Sequence, residues 1–462
     1  MTVDIHNLAS PSEIVASYPL MQIADLDPVF DAARAAQKLW AKMPQPERVK
    51  LVTAFLDGLA GRSEDIARSI TLEMGKIIGE SRGEVGKALG EVRACVSRAG
   101  NPVGEVFPSQ KPDVTAYTIR RPRGVILGIN PWDFPFSSPI RKTIPALVYG
   151  NAMVLKPSIN TPGAAYIMQE VADATLPKGV FQVVLGSGAF NSALTDCYGV
   201  DGISFTGSVA VGKIVAQAAA RNLTEISLEL GGKNPVILND TSNLDDALDQ
   251  IFAATFAVCG QRCTGISRVI VHADLHDVVV KGLAKRADAA VVGNGMEAST
   301  TMGPVSSDAQ MRDVSGFVDR AVTEGAVLEA GGSKVETPSG GLFYRPTILS
   351  AVTPDMEIAT REVFGPVLAI FKYQTPDEAI EIANDVEYGL SACLYSEQFP
   401  LVQQFIGSME SGMIHVNVGS FPEDHLPFVG AKNSSLGVGG SDGPSTIQFY
   451  TSEHSVYVKV QA

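Results

Sequence analysis

AMVLKP (152–157) is the first of several short apolar runs that decide the fold of this chain. Similar runs follow at FQVVLG (181–186), GISFTG (202–207) and TEISLELGG (224–232). Segments with helical spacing stand between them, at 161–174 and 208–222. Short strands separated by helices of about ten or more residues are typical of βαβ units. We therefore predict a parallel sheet covered by helices in this part of the chain.

A second series of the same type begins at KNPVILND (233–240). It continues with a helical segment from 243 to 258 and the β-rich run SRVIVHA (267–273). Before both series, residues 29–100 carry apolar side chains at spacings of three and four, which predicts helices. The predicted fold class is therefore α/β, with two parallel-sheet domains.

A smaller β element is predicted from two distant parts of the chain. VTAYTIRRPRGVILGINP (114–131) alternates like strands. Pro122 places its first half at a sheet edge or in a projecting hairpin, because proline cannot donate a ladder hydrogen bond. The final segment, IQFYTSEHSVYVKV (447–460), alternates again. We predict a terminal strand there that pairs with the hairpin or with another subunit.

Composition limits the partners of the chain. Its 462 residues are 45% hydrophobic and 19% charged, with a net charge of −14. This acidic balance argues against binding to the phosphates of nucleic acid. The N-terminus lacks a basic region followed by an apolar run, and no stretch approaches about 18 apolar residues, so neither a secretory signal nor a membrane span is predicted.

Cysteine and histidine patterns argue against two kinds of site. Five scattered cysteines in a chain of this length fit reduced thiols, which predicts a cytoplasmic protein without a disulfide framework. His272 and His276 are four residues apart, but the glutamate that a zinc-binding helix requires after its first histidine is missing. No metal site is predicted.

Gly207 and Ser208 lie between an apolar run and a helical segment. Unpaired N–H groups at such a helix start favour a phosphate. The segment lacks the full G-x-G-x-x-G pattern, and glycine at a strand–helix junction also serves as a plain turn. The junction alone leaves both interpretations open.

Several motifs in a fixed order carry a resemblance to a known family. They are NPWDFPF (130–136), VLKPS (154–158), FTGS (205–208), LELGGKNP (228–235), GQRC (260–263) and EVFGPV (362–367). Together they strongly resemble the NAD(P)-dependent aldehyde dehydrogenase superfamily over nearly the whole chain. The fold implied is aldehyde dehydrogenase-like.

The resemblance implies that Cys263 is the nucleophile and Glu229 the general base. A thiolate attacks an aldehyde readily, and the adduct loses hydride to a nicotinamide. The resulting thioester then needs a water activated by a carboxylate. The resemblance also implies that Lys142 takes part in a proton relay. Cys259 is expected to pack in the core, and a redox switch between the two thiols is left open.

The implied cofactor is NAD or NADP. The resemblance assigns to it Trp132, Lys156, Ser158, Gly207, Ser208, Glu362 and Phe364. Many NAD-preferring members carry a glutamate three residues after the lysine, where this chain has Ile159. Isoleucine removes both an acceptor for the ribose hydroxyls and a charge that repels a 2′-phosphate. We therefore expect NADP to be tolerated.

Asp133 departs from the family pattern, which has asparagine at this position. The asparagine amide donates to the oxyanion that forms at the substrate carbonyl, whereas an ionised carboxylate would repel that charge. Three explanations stay open: Asp133 is protonated, the backbone N–H of Cys263 carries the oxyanion site with other help, or the enzyme is slow.

Arg141, Arg262, Phe134 and Phe428 are the expected substrate residues. Arg141 resembles a residue that holds the distal carboxylate in succinic semialdehyde dehydrogenases, and Arg262 adds a second guanidinium suited to carboxylates. The phenylalanines equally suit an aromatic ring. We predict a small anionic semialdehyde as substrate. The alternatives are an aromatic or phosphorylated aldehyde, acyl transfer to coenzyme A and, remotely, a non-catalytic protein on the same fold.

The architecture implied by the resemblance has three parts. Residues 1–110 and 124–231 form the cofactor-binding domain, and residues 232–446 form the catalytic domain. Residues 111–123 and 447–462 form a small β oligomerisation element. Because such elements bridge subunits, a homodimer or homotetramer is expected.

Overall fold

The structure, a computed structural model, describes residues 1–101, 104–197, 199–423, 425–439 and 443–459. These residues form twenty strands and fifteen α-helices. The strands are β1 (Thr2–Asn7), β2 (Ser10–Pro19), β3 (Val106–Phe107), β4 (Val114–Pro122), β5 (Val125–Ile129), β6 (Ala152–Lys156), β7 (Phe181–Val183), β8 (Gly202–Thr206), β9 (Glu225–Glu229), β10 (Asn234–Leu238), β11 (Ile266–His272), β12 (Val327–Ala330), β13 (Thr347–Ser350), β14 (Val367–Tyr373), β15 (Tyr388–Gly389), β16 (Ser391–Tyr395), β17 (Met413–Val416), β18 (Ala431–Lys432), β19 (Ser435–Gly437) and β20 (Thr451–Lys459). The helices are α1 (Leu26–Trp40), α2 (Gln45–Gly61), α3 (Ser63–Met74), α4 (Ile78–Ser97), α5 (Ser137–Val148), α6 (Gly163–Thr175), α7 (Ala189–Asp196), α8 (Val209–Asn222), α9 (Leu244–Phe256), α10 (His276–Ala289), α11 (Asp308–Glu324), α12 (Glu357–Thr360), α13 (Pro376–Asn384), α14 (Phe399–Ser408) and α15 (Thr446–Tyr450).

The first large sheet has six strands in the order β19-β9-β8-β5-β6-β7. All neighbours are parallel except β19 and β9. Apolar clusters on both faces bury its strands, which explains continuous apolar runs such as residues 152–155. The chain runs from β5 outward to β7 on one side and returns to β8 on the other. A crevice therefore opens at the carboxyl ends of β5 and β8.

The second large sheet has seven strands in the order β12-β13-β14-β11-β10-β16-β17. Its neighbours are parallel except β12 and β13. β10 is buried along its whole length, as expected for a central strand covered on both faces. The two parallel sheets with packed helices confirm the predicted α/β class.

Four helices precede the first large sheet, as the apolar spacing predicts. In α1 the buried side chains are Leu26, Phe30, Ala33, Gln37 and Trp40, a single helical stripe. α2 and α4 pack on α5, and α2 also packs on α6. This arrangement brings α4 against the loop that follows β5, where the candidate site lies.

A three-stranded sheet in the order β20-β4-β3 joins the two distant β segments. β20 pairs antiparallel with β4 over nine residues, which confirms pairing of the terminal strand with the hairpin. Pro122 is the last residue of β4, beyond the two residues that pair with β3. Residues 446–450 are helical instead of extended, because Phe449 and Tyr450 are buried beside α5. Residues 460–462 of the predicted element lie outside the described part of the chain.

Two connections tie the N- and C-terminal parts of the chain together. β19, from the C-terminal part, pairs with β9 at the edge of the first sheet. β1 and β2 form an antiparallel hairpin, and the Leu8 carbonyl in its turn accepts from the Leu342 N–H at 3.1 Å. In the described ranges, no helix has the length and apolarity needed to cross a membrane.

Candidate active site

A cavity of about 360 Å³ lies at the carboxyl ends of β8 and β9. Thr206 and Glu229, the last residues of these strands, form its floor together with the turn before β11. All eight residues predicted to act in catalysis or substrate binding line this cavity. They are Asp133, Phe134, Arg141, Lys142, Glu229, Arg262, Cys263 and Phe428.

Cys263 is held by a tight turn between α9 and β11. Three residues of this turn have a positive φ: Val258 at 58°, Cys259 at 57° and Gly260 at 67°. A Cβ on residue 260 would lie 2.2 Å from the Gly365 carbonyl oxygen, so only glycine fits there. On the other side of the nucleophile, Asn234 donates to the Cys263 carbonyl at 2.7 Å. The backbone around the thiol is therefore fixed from both sides.

The Cys263 thiol is partly exposed in the cavity, whereas Cys259 is buried in the core around the second sheet. Burial raises the pKa of Cys263 well above its ordinary value, and the nearby carboxylates of Glu229 and Asp133 raise it further. Arg262 acts in the opposite direction. Burial and these carboxylates therefore disfavour the thiolate form of Cys263.

Glu229 ends a short chain of hydrogen bonds along the cavity wall. The Lys142 ammonium donates to Thr206 Oγ1 at 2.7 Å and to Ser138 Oγ at 2.9 Å. Thr206 in turn donates to Glu229 Oε2 at 3.3 Å. Hydrogen is therefore donated in one direction, from Lys142 through Thr206 to Glu229, so the carboxylate and the ammonium are linked through one hydroxyl group.

Asp133 is buried, at 4% exposure. Its Oδ1 has no hydrogen-bond partner among the described residues. Burial raises its pKa to about 6, and the positive charge of Lys76 opposes this rise. A carboxyl group with this pKa changes its charge close to physiological pH.

A buried ion pair supports the loop that carries Asp133. Lys76 Nζ lies 2.6 Å from Glu84 Oε2, and their side chains are 0% and 1% exposed. The Lys76 ammonium also donates to the Asp133 carbonyl at 2.7 Å. Glu84 Oε1 accepts from the N–H groups of Phe136 and Ser137 at 3.0 and 2.9 Å. The pair therefore fixes the backbone on both sides of Phe134.

Glu84→Gln is expected to lower the free energy of unfolding by about 3–5 kcal/mol, because it leaves the buried Lys76 charge without its partner. The measurement is urea denaturation followed by circular dichroism. Glu64→Gln is the matched control, since Glu64 pairs with Arg82 on the surface, where loss of a pair changes stability little. Equal losses in the two variants would contradict the assignment.

The two arginines of the cavity differ in their partners. Arg141 forms a two-pronged ion pair with Glu91, whose carboxylate oxygens lie 2.5 Å from Nε and 2.5 Å from Nη2. Arg262 is buried, and its Nη2 donates to Thr264 Oγ1 at 3.1 Å and to the Ser420 carbonyl at 3.2 Å. Its Nη1 has no partner among the described residues. Among the described residues, the guanidinium nitrogen of this cavity that is buried without a partner is therefore Nη1 of Arg262.

The residues predicted for the cofactor lie at or just after the carboxyl ends of β5, β6 and β8 and in the loop before β14. Lys156 ends β6, and Ser208 caps α8 by accepting from the Val211 N–H at 3.4 Å. The rings of Trp132 and Phe364 meet edge to face, with centroids 5.4 Å apart. Ser158 and Gly207 lie beside Lys156 and Ser208 in the chain.

Glu362 supplies a test of whether these residues fit a dinucleotide. Its Oε1 accepts from the Gly232 N–H at 3.0 Å, and burial raises its pKa to about 7. A Cβ on residue 231 would lie 2.2 Å from Glu362 Oε2, so glycine is required for the carboxylate to reach this position. A held carboxylate, a capped helix start and a lysine around one crevice fit the ribose and phosphate groups of a nicotinamide dinucleotide.

Several residues of the cavity were not identified from the sequence. They are Lys76, Glu80, Glu84, Lys87, Thr206 and Phe421. Most of the charged ones lie on or just before α4, where isolated Lys and Glu residues resemble an ordinary solvated helix face. Thr206 lies inside the FTGS motif, so of these six residues it is the one that the sequence could have identified as a site residue.

Known proteins match this chain over almost its full length. The model of the aldehyde dehydrogenase family matches residues 2–456. An alpha-ketoglutaric semialdehyde dehydrogenase of Bacillus subtilis (strain 168) is 35% identical, covering 99% of this chain and 94% of that protein. An alpha-ketoglutarate semialdehyde dehydrogenase of Haloferax volcanii is 37% identical, covering 99% and 95%. The crystal structure of an NADP-dependent enzyme of Escherichia coli has a TM-score of 0.95 and 31% identity, covering 100% of this chain and 95% of that one.

These matches confirm the resemblance drawn from the motifs and the aldehyde dehydrogenase-like fold. They agree with a site in which a thiol, a carboxylate and a dinucleotide crevice lie together. The chain belongs to the aldehyde dehydrogenase family, whose members oxidise aldehydes with NAD or NADP.

Proposed function

We propose that this enzyme oxidises a small anionic semialdehyde to the corresponding dicarboxylate. The observation that carries the proposal is Arg262, a buried guanidinium in the cavity with Nη1 unpaired among the described residues. A buried cation with an open donor favours a ligand carboxylate. The names of the Bacillus subtilis and Haloferax volcanii relatives, both semialdehyde dehydrogenases, support the same substrate class.

In the proposed reaction, Cys263 and Glu229 act in turn. The thiolate of Cys263 adds to the aldehyde carbon, which forms a C–S bond and a thiohemiacetal oxyanion. Loss of hydride from this carbon leaves a thioester on Cys263, and a nicotinamide held by Trp132, Glu362 and Phe364 would supply the hydride acceptor. Glu229 takes a proton from a water that attacks the thioester, so the acid leaves and the thiolate is restored.

We also propose that Thr206 and Lys142 relay the proton away from Glu229: once Lys142 has released a proton of its own, the protonated Glu229 donates to Thr206 Oγ1 and the Thr206 hydroxyl proton passes to the Lys142 amine. Their hydrogen bonds lead from the carboxylate into the cavity wall at Ser138. A base must lose its proton before the next turnover, and a chain of touching donors and acceptors provides the route. Lys142 is thereby assigned to proton movement and not to nucleophilic attack.

For the cofactor, we propose that Lys156 and Ser158 hold the adenosine ribose and that Gly207 and Ser208 hold the pyrophosphate. Trp132, Glu362 and Phe364 hold the nicotinamide riboside. Ile159 follows Lys156 on the same loop and brings no carboxylate to the ribose. A 2′-phosphate therefore meets no fixed negative charge at this residue, and we expect turnover with both NAD and NADP.

The test of substrate class compares kcat/KM for succinic semialdehyde, butanal and benzaldehyde, with NAD and with NADP. The proposal expects the anionic semialdehyde to be preferred over butanal, which has the same length. A preference for benzaldehyde would favour the aromatic alternative, for which Phe134, Phe421 and Phe428 around the cavity are the supporting observation. Addition of coenzyme A tests for an acyl-CoA product, and a phosphorylated aldehyde of similar size tests the remaining alternative.

Arg262→Met is expected to lower the ratio of kcat/KM for succinic semialdehyde over butanal by about tenfold, because it removes the open donor to the substrate carboxylate. Arg141→Met is the matched comparison. Since Glu91 already neutralises Arg141, this change is expected to move the ratio by no more than about threefold. A larger effect of Arg141→Met than of Arg262→Met would assign the substrate carboxylate to Arg141 instead.

We propose the domain boundaries given by the resemblance, a homodimer or homotetramer, and a cytoplasmic location. The small sheet exposes apolar side chains, with Val106 79%, Phe107 47% and Tyr457 74% exposed. Exposed apolar groups clustered on one sheet support an interface between subunits. Light scattering after size exclusion gives the mass in solution, and a monomer would exclude this assembly.

A further inference from the structure

The turn before the nucleophile has a conformation that side chains seldom adopt. Val258 and Cys259 both have a left-handed backbone, with φ of 58° and 57°. A β-branched residue is particularly unfavourable there. Two such residues in succession persist only when neighbouring groups hold them in place.

Glu80, in the first turn of α4, contacts this backbone directly. Its Oε1 accepts from the Val258 N–H at 2.8 Å, and its Oε2 accepts from the Ile77 N–H at 3.3 Å. The Val258 carbonyl accepts from the Gln261 N–H at 3.1 Å and from Gln261 Nε2 at 3.2 Å. Both polar groups of the Val258 backbone are therefore satisfied, one of them by a residue 178 positions away in the chain.

We propose that Glu80 is a positioning residue that fixes the nucleophile turn by accepting the Val258 hydrogen bond. It acts through the backbone and does not touch the reacting atoms, and the proposal rests on the role of Cys263 given above. Glu80 belongs to the N-terminal helices, whereas the turn joins α9 to the second large sheet. The contact therefore couples α4 to the placement of the thiol.

The length and the charge of the Glu80 side chain make different contributions to its hydrogen bond with Val258. Lys76 and Arg262 both favour the charged form of Glu80, while burial raises its pKa above the ordinary value. Acceptance from an N–H group requires an oxygen at the correct distance and not a full charge. A glutamine keeps an oxygen for the Val258 N–H at 2.8 Å and gives up the longer contact with the Ile77 N–H at 3.3 Å, because its other terminal group is a donor. An aspartate keeps both oxygens and the charge but is shorter by one methylene.

The test compares Glu80→Asp with Glu80→Gln in the full-length protein. The readout is the rate of Cys263 alkylation by iodoacetamide, located by peptide mass mapping and measured across pH, together with kcat. Glu80→Asp is expected to lower both by about tenfold, because a displacement of about 1 Å at the turn misplaces the thiol. Glu80→Gln is expected to retain both within about threefold. Alkylation does not depend on the aldehyde, so an error in the substrate class leaves this test intact.

Two outcomes would overturn the proposal. Alkylation at the wild-type rate in Glu80→Asp would show that the turn holds its conformation without this contact. An equal loss in Glu80→Gln would show that charge, and not reach, is required. Thermal melts of both variants exclude misfolding as the cause, and Glu64→Asp, on the exposed face of α3, is the control for general effects.

Discussion

Cys263→Ala is expected to lower kcat by about 10⁴-fold or more, because Cys263 is the only thiol among the described residues that line the cavity and the covalent intermediate forms on it. Glu229 and Lys142 move protons and hold charge, and they remain in place without the thiol. Binding of NAD or NADP is expected to persist, since the residues proposed to hold the cofactor are unchanged in this variant. Initial rates and cofactor titrations by fluorescence measure the two properties separately.

Cys259→Ala is the matched control for this result. Cys259 lies four residues earlier, is buried at 2% exposure and belongs to the core around the second sheet. Its loss is expected to reduce stability while kcat stays within about threefold, as for a cysteine that only packs. Both cysteines are free thiols in the structure. Loss of activity in Cys259→Ala, with activity retained in Cys263→Ala, would reverse the assignment.

The raised pKa of Cys263 adds a pH dependence to the same experiment. The thiolate is the reactive form, and burial and two carboxylates keep it scarce near neutral pH. The alkylation rate of Cys263 is therefore expected to keep rising with pH at values where the rate of an ordinary cysteine has already levelled off. A rate that levels off near pH 7 would contradict the raised pKa.

The strands of the two large sheets could mostly be predicted from the sequence, because each has a local residue pattern typical of a strand. β6, β8 and β11 are short runs rich in apolar and β-branched residues, and segments with helical spacing separate them, so their type and order follow from the chain alone. β19 carries no such signal, because its three residues gain their strand geometry only by pairing with β9. The hairpin of β1 and β2 was likewise not predicted, since no residue of β2 is buried and the strand therefore lacks a core-facing apolar side.

The site residues were predictable where they stand in a short sequence motif. Cys263, Glu229 and Asp133 lie in short distinctive motifs, and the structure brings all three to one cavity. Glu80 and Glu91 lie on α4 among other charged residues, and nothing local separates them from a solvated surface. Their partners, Val258 and Arg141, are 178 and 50 positions away. Such contacts depend on how α4 packs, which spacing along the chain does not specify.

Asp133→Asn is expected to raise kcat/KM by about 10²-fold at pH 8, because it replaces a carboxylate with an amide that donates to the developing oxyanion. The pKa of Asp133 is raised to about 6 by burial. Above that pH the native group is mainly ionised and repels negative charge at the carbonyl oxygen. Below it, the neutral acid is itself a donor, so the advantage of asparagine is expected to shrink toward one at pH 5.

The pH profile of the ratio between variant and wild type is the decisive measurement. Groups whose pKa is the same in both proteins cancel in this ratio, so a rise centred near pH 6 reports the titration of Asp133. Its charge also raises the pKa of Cys263, and removal of that charge acts in the same direction at high pH. Asp57→Asn, where the aspartate pairs with Arg93 on the surface, controls for the change of net charge. A ratio below one at every pH would instead mean that the carboxylate of Asp133 takes part in the reaction, and that its unpaired Oδ1 faces a group it must bind as an anion.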